Sequence, residues 1–330
     1  MTAALALLGY AVGAAWCVPA LLAPLTRHGI SVRAGLAAWL TAMASVLLSG
    51  TVAVLFSVRT AAADWPRLTS TLCRSVAGGA CTPEVYRSLF YQAGVAALAA
   101  VLAFASVLAL WRYGRRVQRS RRQTRAHAAA ARLVGRALAA GAGSGAVVGR
   151  QAEAVVLDDP RPAAYCVAGR PAAIVLTSGA LEVLDPPQLG AVLAHERAHL
   201  AHADHLLATL TQGLAAAFPG VPLYATGAAE VARLAEMSAD DTAARASGRP
   251  ALVAALLAIA TGAAISSTGI PGTGVPGGAL AAAAHAVPAR VERLLCPPTP
   301  GRSAAFTAML TLALALLAAA PLALALFAPR

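Results

Sequence analysis

The sequence predicts a mainly α-helical membrane protein, with about four transmembrane helices and an α+β domain set between the third and the fourth. Three observations carry this. Of 330 residues, 58% are hydrophobic and 12% charged, with a mean hydropathy of +0.68. A soluble domain carries about a quarter charged residues, so much of this surface must face lipid. Four apolar segments, at roughly 3–25, 35–58, 92–111 and 304–327, reach the ~20 residues needed to cross the hydrocarbon core. Between 150 and 184 the pattern changes to short apolar runs separated by turn residues.

The first segment lacks a basic leader and a small-residue cleavage site, so it reads as a retained helix rather than a signal peptide. The third is followed by Arg112, Arg115, Arg116, Arg119, Arg121, Arg122 and Arg125. The chain has no lysine, so all 26 basic residues are arginine and the formal charge is +12. Such a cluster beside an apolar span is a topology signal that places it in the cytoplasm, and it suits anionic lipid headgroups. Nucleic acid is excluded as a partner, because no aromatic residue beyond Tyr113 is interleaved with the arginines. Alternation then puts the 59–91 loop outside and residues 112–303 in the cytoplasm. Cys73 and Cys81 share that external loop, where a disulfide and two free thiols are both open readings. Cys17 and Cys166 sit in apolar stretches and read as packed side chains.

The runs 154–157, 164–167 and 173–176 read as two or three strands. Then comes Asp185-Pro186-Pro187-Gln188, with Asp at the N-cap, Pro at the first helical position and Gln three residues past the cap. This predicts a helix from about 186 to 205. The uncharged stretch 206–229 is read as a helix and an interfacial turn at Pro219 and Pro222, with a re-entrant hairpin as the alternative.

The 186–205 helix carries His195-Glu196-Arg197-Ala198-His199, an H-E-x-x-H motif. Residues four apart lie on one helix face, so both imidazoles can reach one ion. Neutral imidazole suits Zn²⁺, and a catalytic site keeps one position open for water. Glu196 can take a proton from that water as general base and pass it to a leaving amine. A third ligand is required, and two solutions compete. His205 stands at the spacing of the last His in a metzincin pattern, with Met237 as a possible Met-turn, but His202 replaces the Gly that turns the chain. The other is Glu236 from a second helix, with Asp240 one turn on to hydrogen-bond a ligating imidazole. The plainer reading of Glu236 is an exposed charge paired with Arg233; Glu230 is a weaker ligand candidate, His202 a substrate contact or a solvated helix end. Asp204 is left between orienting a ligand and pairing with an arginine, and Arg245, Tyr224 and Arg290 are all open as oxyanion stabilisers.

With these residues in hand, the chain resembles the bacterial membrane peptidases typified by BlaR and MecR (peptidase family M 56), in a short actinobacterial form. The resemblance rests on the N-terminal spans, on VAGRPAAIVLTSGALEVLDPPQLGAVLAHERAHL (167–200), EMSADD and ARVERLL (289–295), and on a final span. The order is also similar to HtpX-type and CAAX-prenyl proteases, whose third ligand is the Glu of E-x-x-x-D. The resemblance implies a zincin-like (gluzincin) metallopeptidase domain, with His195, His199 and Glu236 as ligands of one zinc ion and Glu196 as base. It also implies that the 172–177 strand borders the cleft, where a substrate can add as a strand. The chain stops at Arg330, without the penicillin-binding domain of the sensor–transducers, so β-lactam sensing is not expected of it.

The expected organisation is therefore a three-helix membrane region at 1–111 and an Arg-rich juxtamembrane segment at 112–149. A zinc metallopeptidase domain follows at 150–268, a linker and return segment at 269–303, and a C-terminal transmembrane helix at 304–330. The expected function is a membrane-embedded zinc endopeptidase of the bacterial cell membrane, cleaving a protein or peptide, a transcriptional repressor among the candidates, and used in regulated proteolysis. The alternative is a non-catalytic signalling or scaffold protein with a structural zinc site.

Overall fold

The computed structural model describes residues 2–27, 31–76, 83–137, 152–167, 172–266, 287–297 and 300–327. Four long helices form the membrane part: α1 (Thr2–Thr26), α2 (Val32–Val76), α3 (Pro83–Val134) and α10 (Pro300–Phe327). Their stretches Ala3–Thr26, Val32–Trp65, Leu89–Gln123 and Ala304–Leu324 are long and apolar enough to cross a membrane. Helices α2 and α3, at 45 and 52 residues, rise ~1.5 Å per residue and so outrun a hydrocarbon core ~30 Å thick. The 59–91 segment, expected as a loop, is therefore helical up to Val76 and again from Pro83. Hydropathy marks where lipid ends, whereas alanine, leucine and arginine keep the helix going into water. For the same reason α3 runs on through the arginine cluster to Val134. Cys81 and the side chain of Cys73 lie outside the described residues, as does most of the 269–303 linker.

After α3 the chain forms β1 (Arg136–Ala137), β2 (Ala152–Leu157), β3 (Ala164–Val167) and β4 (Ala172–Thr177). The order across the sheet is β1-β2-β4-β3, with β2 and β4 parallel and the outer pairs antiparallel. Strand β4 is thus hydrogen-bonded on both sides, which corrects the expectation that 172–177 offers a free edge to a substrate. Its continuous apolar run reflects packing on both faces of the strand. Among the described residues the outer strand next to β4 is β3. Ile174 and Leu176 pack with Leu189, Val192 and Leu193 of the motif helix, and Val175 packs on the opposite face with Val167. Gly179, opening α4 (Ser178–Val183), sits against the Pro160 backbone, where an added Cβ would lie 2.1 Å from the carbonyl oxygen. Only glycine fits there.

Helix α5 (Pro186–Ala201) begins with the predicted capping box: Gln188 N–H donates to Asp185 Oδ1 at 2.8 Å, and Asp185 N–H donates to Gln188 Oε1 at 3.2 Å. It ends four residues earlier than expected. His202 caps it, Ala203 takes a left-handed φ of 55°, and α6 (Asp204–Ala217) starts anew. A left-handed non-glycine residue costs roughly 1–2 kcal/mol, so the chain turns here without the glycine the sequence reading required. The 218–221 turn, with Pro219, precedes α7 (Pro222–Ser247), then come α8 (Arg249–Ser266) and α9 (287–295).

Helix α7 joins the two halves of the molecule. Leu223, Val231, Leu234 and Met237 pack with Leu22 of α1, Trp39 and Met43 of α2 and Leu310 of α10 in one apolar cluster. At Gly227 a Cβ would meet Met43 Sδ at 2.9 Å, so the missing side chain sets the approach of α7 to α2. At the end of α1, Arg233 donates to the carbonyls of Thr26 and Arg27 at 2.7 and 2.9 Å and pairs with Glu230.

Candidate metal centre

Helices α5 and α7 meet through small residues; Ala191 and Ala243 are fully buried where they pack. The contact turns one face of each helix toward the other. His195 and His199, one turn apart on α5, face Glu236 on α7. One ligand atom from each of the three lies within 4.8 Å of the others. His195 Nε2 is 3.0 Å from His199 Nε2 and 3.4 Å from Glu236 Oε2, and His199 Nε2 is 3.5 Å from Glu236 Oε1. Two imidazole nitrogens and a carboxylate oxygen form a donor set that suits Zn²⁺, so these residues fit such an ion.

Each imidazole has a carboxylate behind it. His199 Nδ1–H donates to Asp204 Oδ2 at 2.7 Å, which fixes the proton on Nδ1 because an ionised carboxylate only accepts. On His195 the buried Nδ1 has Asp240 Oδ1 3.1 Å away, off the angle of a good hydrogen bond. Burial alone would lower the His195 pKa. Asp240, Glu236 and the charge of Glu196 outweigh it and lift the imidazole to about 9. For Glu236, burial works against ionisation, yet its hydrogen bond to His195 and the charge of Arg290 hold it down to about 2. The same balance of burial against Arg290 and His195 holds Asp240 at about 2. Glu196 is buried next to both imidazoles, and burial pushes its pKa up.

The structure thus brings His195, Glu196, His199, Glu236 and Asp240 together. His205 does not join them; it is exposed at the start of α6. Met237 packs in the apolar cluster against the membrane helices. Arg233 pairs with Glu230, not Glu236. Tyr224 stacks on Phe218 in that same cluster, and Arg245 is exposed and donates to Thr242 Oγ1. Of the three residues left open for an oxyanion role, only Arg290 reaches the centre. Its NH2 lies 3.5 Å from His195 Nε2, and its guanidinium binds Asp240 and Glu236. Asp204, undecided from sequence, turns back to His199 because of the break at Ala203. Cys166 packs against the apolar cluster beneath the motif helix, as expected, and burial with the nearby charge of Glu196 pushes its thiol up to about 12. No local spacing announces its nearness to Glu196, since β3 and α5 are joined only by tertiary packing.

The fold and the centre together define a membrane-associated metallopeptidase. The chain belongs to peptidase family M48, whose sequence profile matches residues 120–295, just over half of it; members of this family are zinc metalloproteases. It is similar to the protease HtpX homologue of Acidiphilium cryptum (strain JF-5), 42% identical over 64 residues, 19% of this chain and 22% of that protein. The protease HtpX homologue of Tropheryma whipplei (strain Twist) is 39% identical over 67 residues, 20% and 23% of the two chains. That of Ralstonia nicotianae (strain ATCC BAA-1114 / GMI1000) is 35% identical over 72 residues, 21% and 25%. The alignments span about a quarter or less of each of these relatives. No solved structure matches the chain.

Proposed function

We propose that the chain is a membrane-embedded zinc endopeptidase, with one ion held by His195, His199 and Glu236 and with Glu196 as general base. The observation that carries this is the convergence of two imidazoles and a carboxylate from two helices, with a buried carboxyl beside them that takes no part in the set. A bound zinc ion supplies a Lewis acid and lowers the pKa of a water toward ~7. Glu196 takes the proton of the attacking water and returns it to the leaving amine. Burial raises its affinity for that proton. Asp204, through its hydrogen bond to His199 Nδ1, would hold that imidazole for an ion, and Asp240 sets a negative charge beside His195 Nδ1. A purely structural site would have no use for Glu196.

The substrate is an extended segment of protein that pairs with the outer edge of β3, since β4 has no free edge. The arginine cluster on α3 supports a cytoplasmic position for the peptidase part, with the lipid bilayer as its surroundings. The family matched is M48, not the M 56 family of BlaR and MecR; regulated proteolysis, with a transcriptional repressor as a candidate substrate, rests on the sequence resemblance to BlaR and MecR alone. The test is cleavage of an unfolded protein such as casein by the full chain in detergent. Glu196→Gln is expected to lower kcat by about 10²–10⁴-fold with its zinc retained, and a chelator to abolish cleavage by wild type. Undiminished cleavage by Glu196→Gln would remove the assigned base.

A further inference from the structure

Helix α9 reaches the metal centre from far along the chain, and its arginines are held in an unusual way. Arg290 is 7% exposed. Its Nε and NH2 donate to Asp240 Oδ2 and Oδ1 at 2.7 and 2.6 Å, a two-bond fork, while NH1 lies 3.0 Å from Glu236 Oε2. One guanidinium therefore spans two carboxylates on successive turns of α7. Three residues on, Arg293 makes a second fork to Asp241 at 2.7 and 2.8 Å. Leu294 is buried between them and the α5–α7 contact, with Ala191 and Ala243.

We propose that Arg290 is a positioning residue for the metal centre: it engages Glu236 through Oε2, leaving Oε1 to meet a cation, and locks Asp240 beside His195. The argument is one of geometry and charge. Asp240 is buried, Glu236 one turn before it is 41% exposed, and their like charges repel; a single guanidinium that reaches both offsets that repulsion. A guanidinium can do this because its donors form a rigid planar fork; an ammonium is a point charge that cannot serve both at these angles. A Glu that offers one oxygen leaves a coordination position free, which a catalytic site needs and a closed structural one does not. The Arg293–Asp241 pair docks the same helix but touches none of the ligands, so docking and positioning can be separated.

The proposal rests on the zinc-site reading above, and cobalt distinguishes the two. The full chain in detergent is stripped and loaded with Co²⁺, and its visible absorption and cobalt affinity are measured for wild type, Arg290→Gln, Arg290→Lys and Arg293→Gln. Wild type is expected to give the strong absorption of a four-coordinate ion. Arg290→Gln frees Glu236 to offer both oxygens, so the absorption weakens and affinity falls by about 10–100-fold. Arg293→Gln keeps the wild-type spectrum. Arg290→Lys, which keeps the charge and is the safer variant to fold, is expected to show the same spectral change with a smaller loss of affinity. If Arg290→Gln folds and matches wild type in both readouts, the proposal falls while the metal site stands. If it does not fold, an Arg290→Lys protein with wild-type spectrum and affinity overturns it. Equal changes in Arg293→Gln would reduce Arg290 to helix docking, and a wild type that binds no metal would remove the site and the proposal together.

Discussion

At the metal centre the charges are arranged so that His195 carries a proton when no metal is bound. Its pKa stands at about 9 against an ordinary 6.5, while Glu236 is held at about 2 against 4.5. A ligating imidazole must be neutral, so zinc binding at pH 7.5 should expel the His195 proton, in addition to any released by a zinc-bound water. Calorimetry in buffers of different ionisation enthalpy reads this directly; a binding enthalpy independent of buffer would contradict it. The same shifts act on the stability of the chelator-treated protein. The raised His195 contributes stability that is complete below pH 6.5 and lost as pH rises through about 9. The lowered Glu236 contributes stability present above pH 4.5 and lost as pH falls toward about 2. Thermal melts of the metal-free protein should therefore weaken on both sides of the pH 4.5–6.5 window, and His195→Ala should flatten the alkaline side.

At the scale of single elements, the start of α5 is set by a local signal and its end by a tertiary one. The Asp185–Gln188 capping box needs only neighbouring residues, and the sequence alone places it. Asp185→Ala should cost about 1 kcal/mol, seen as a lower Tm with unchanged zinc content; loss of zinc as well would mean that the cap also sets the site. The far end shows why other features were not legible. Nothing in His202-Ala203 marks a break, because alanine adopts the left-handed conformation only under the pull of packing and of the Asp204–His199 hydrogen bond. The expectation of an unbroken helix therefore left Asp204 unassigned. Periodicity reads His195, His199, Glu236 and Asp240 as faces, since each pair lies one turn apart. Arg290 and Cys166 come to the centre from α9 and β3, whose distances along the chain carry no pattern. Strand pairing is hidden for the same reason: three apolar runs read as strands, yet their order in space, with β4 between β2 and β3, follows from a crossover that no local residue encodes.

Across the whole molecule, α7 is the shared element. One face, with Leu223, Val231 and Leu234, is sealed into the membrane helices, while Glu236 and Asp240 on another face meet α5. The membrane part and the metal centre are thus one packing unit. Hydropathy finds the four apolar helices but not this junction, which depends on close approach at Gly227. Gly227→Leu would drive a side chain into Met43 and Trp39, and overpacking of this kind costs about 1–3 kcal/mol. The expected result is a lower Tm in detergent together with weaker zinc retention, because displacing α7 moves Glu236. A variant with full stability and full zinc would separate the two halves. The central claim, that two helices hold one catalytic zinc through His195, His199 and Glu236, is tested most directly by elemental analysis of the purified protein. Wild type and Glu196→Ala should each carry close to one zinc per chain, and Glu236→Ala should lose it. A Glu236→Ala protein that keeps its zinc, or a wild type that takes up none on reconstitution, would contradict the account.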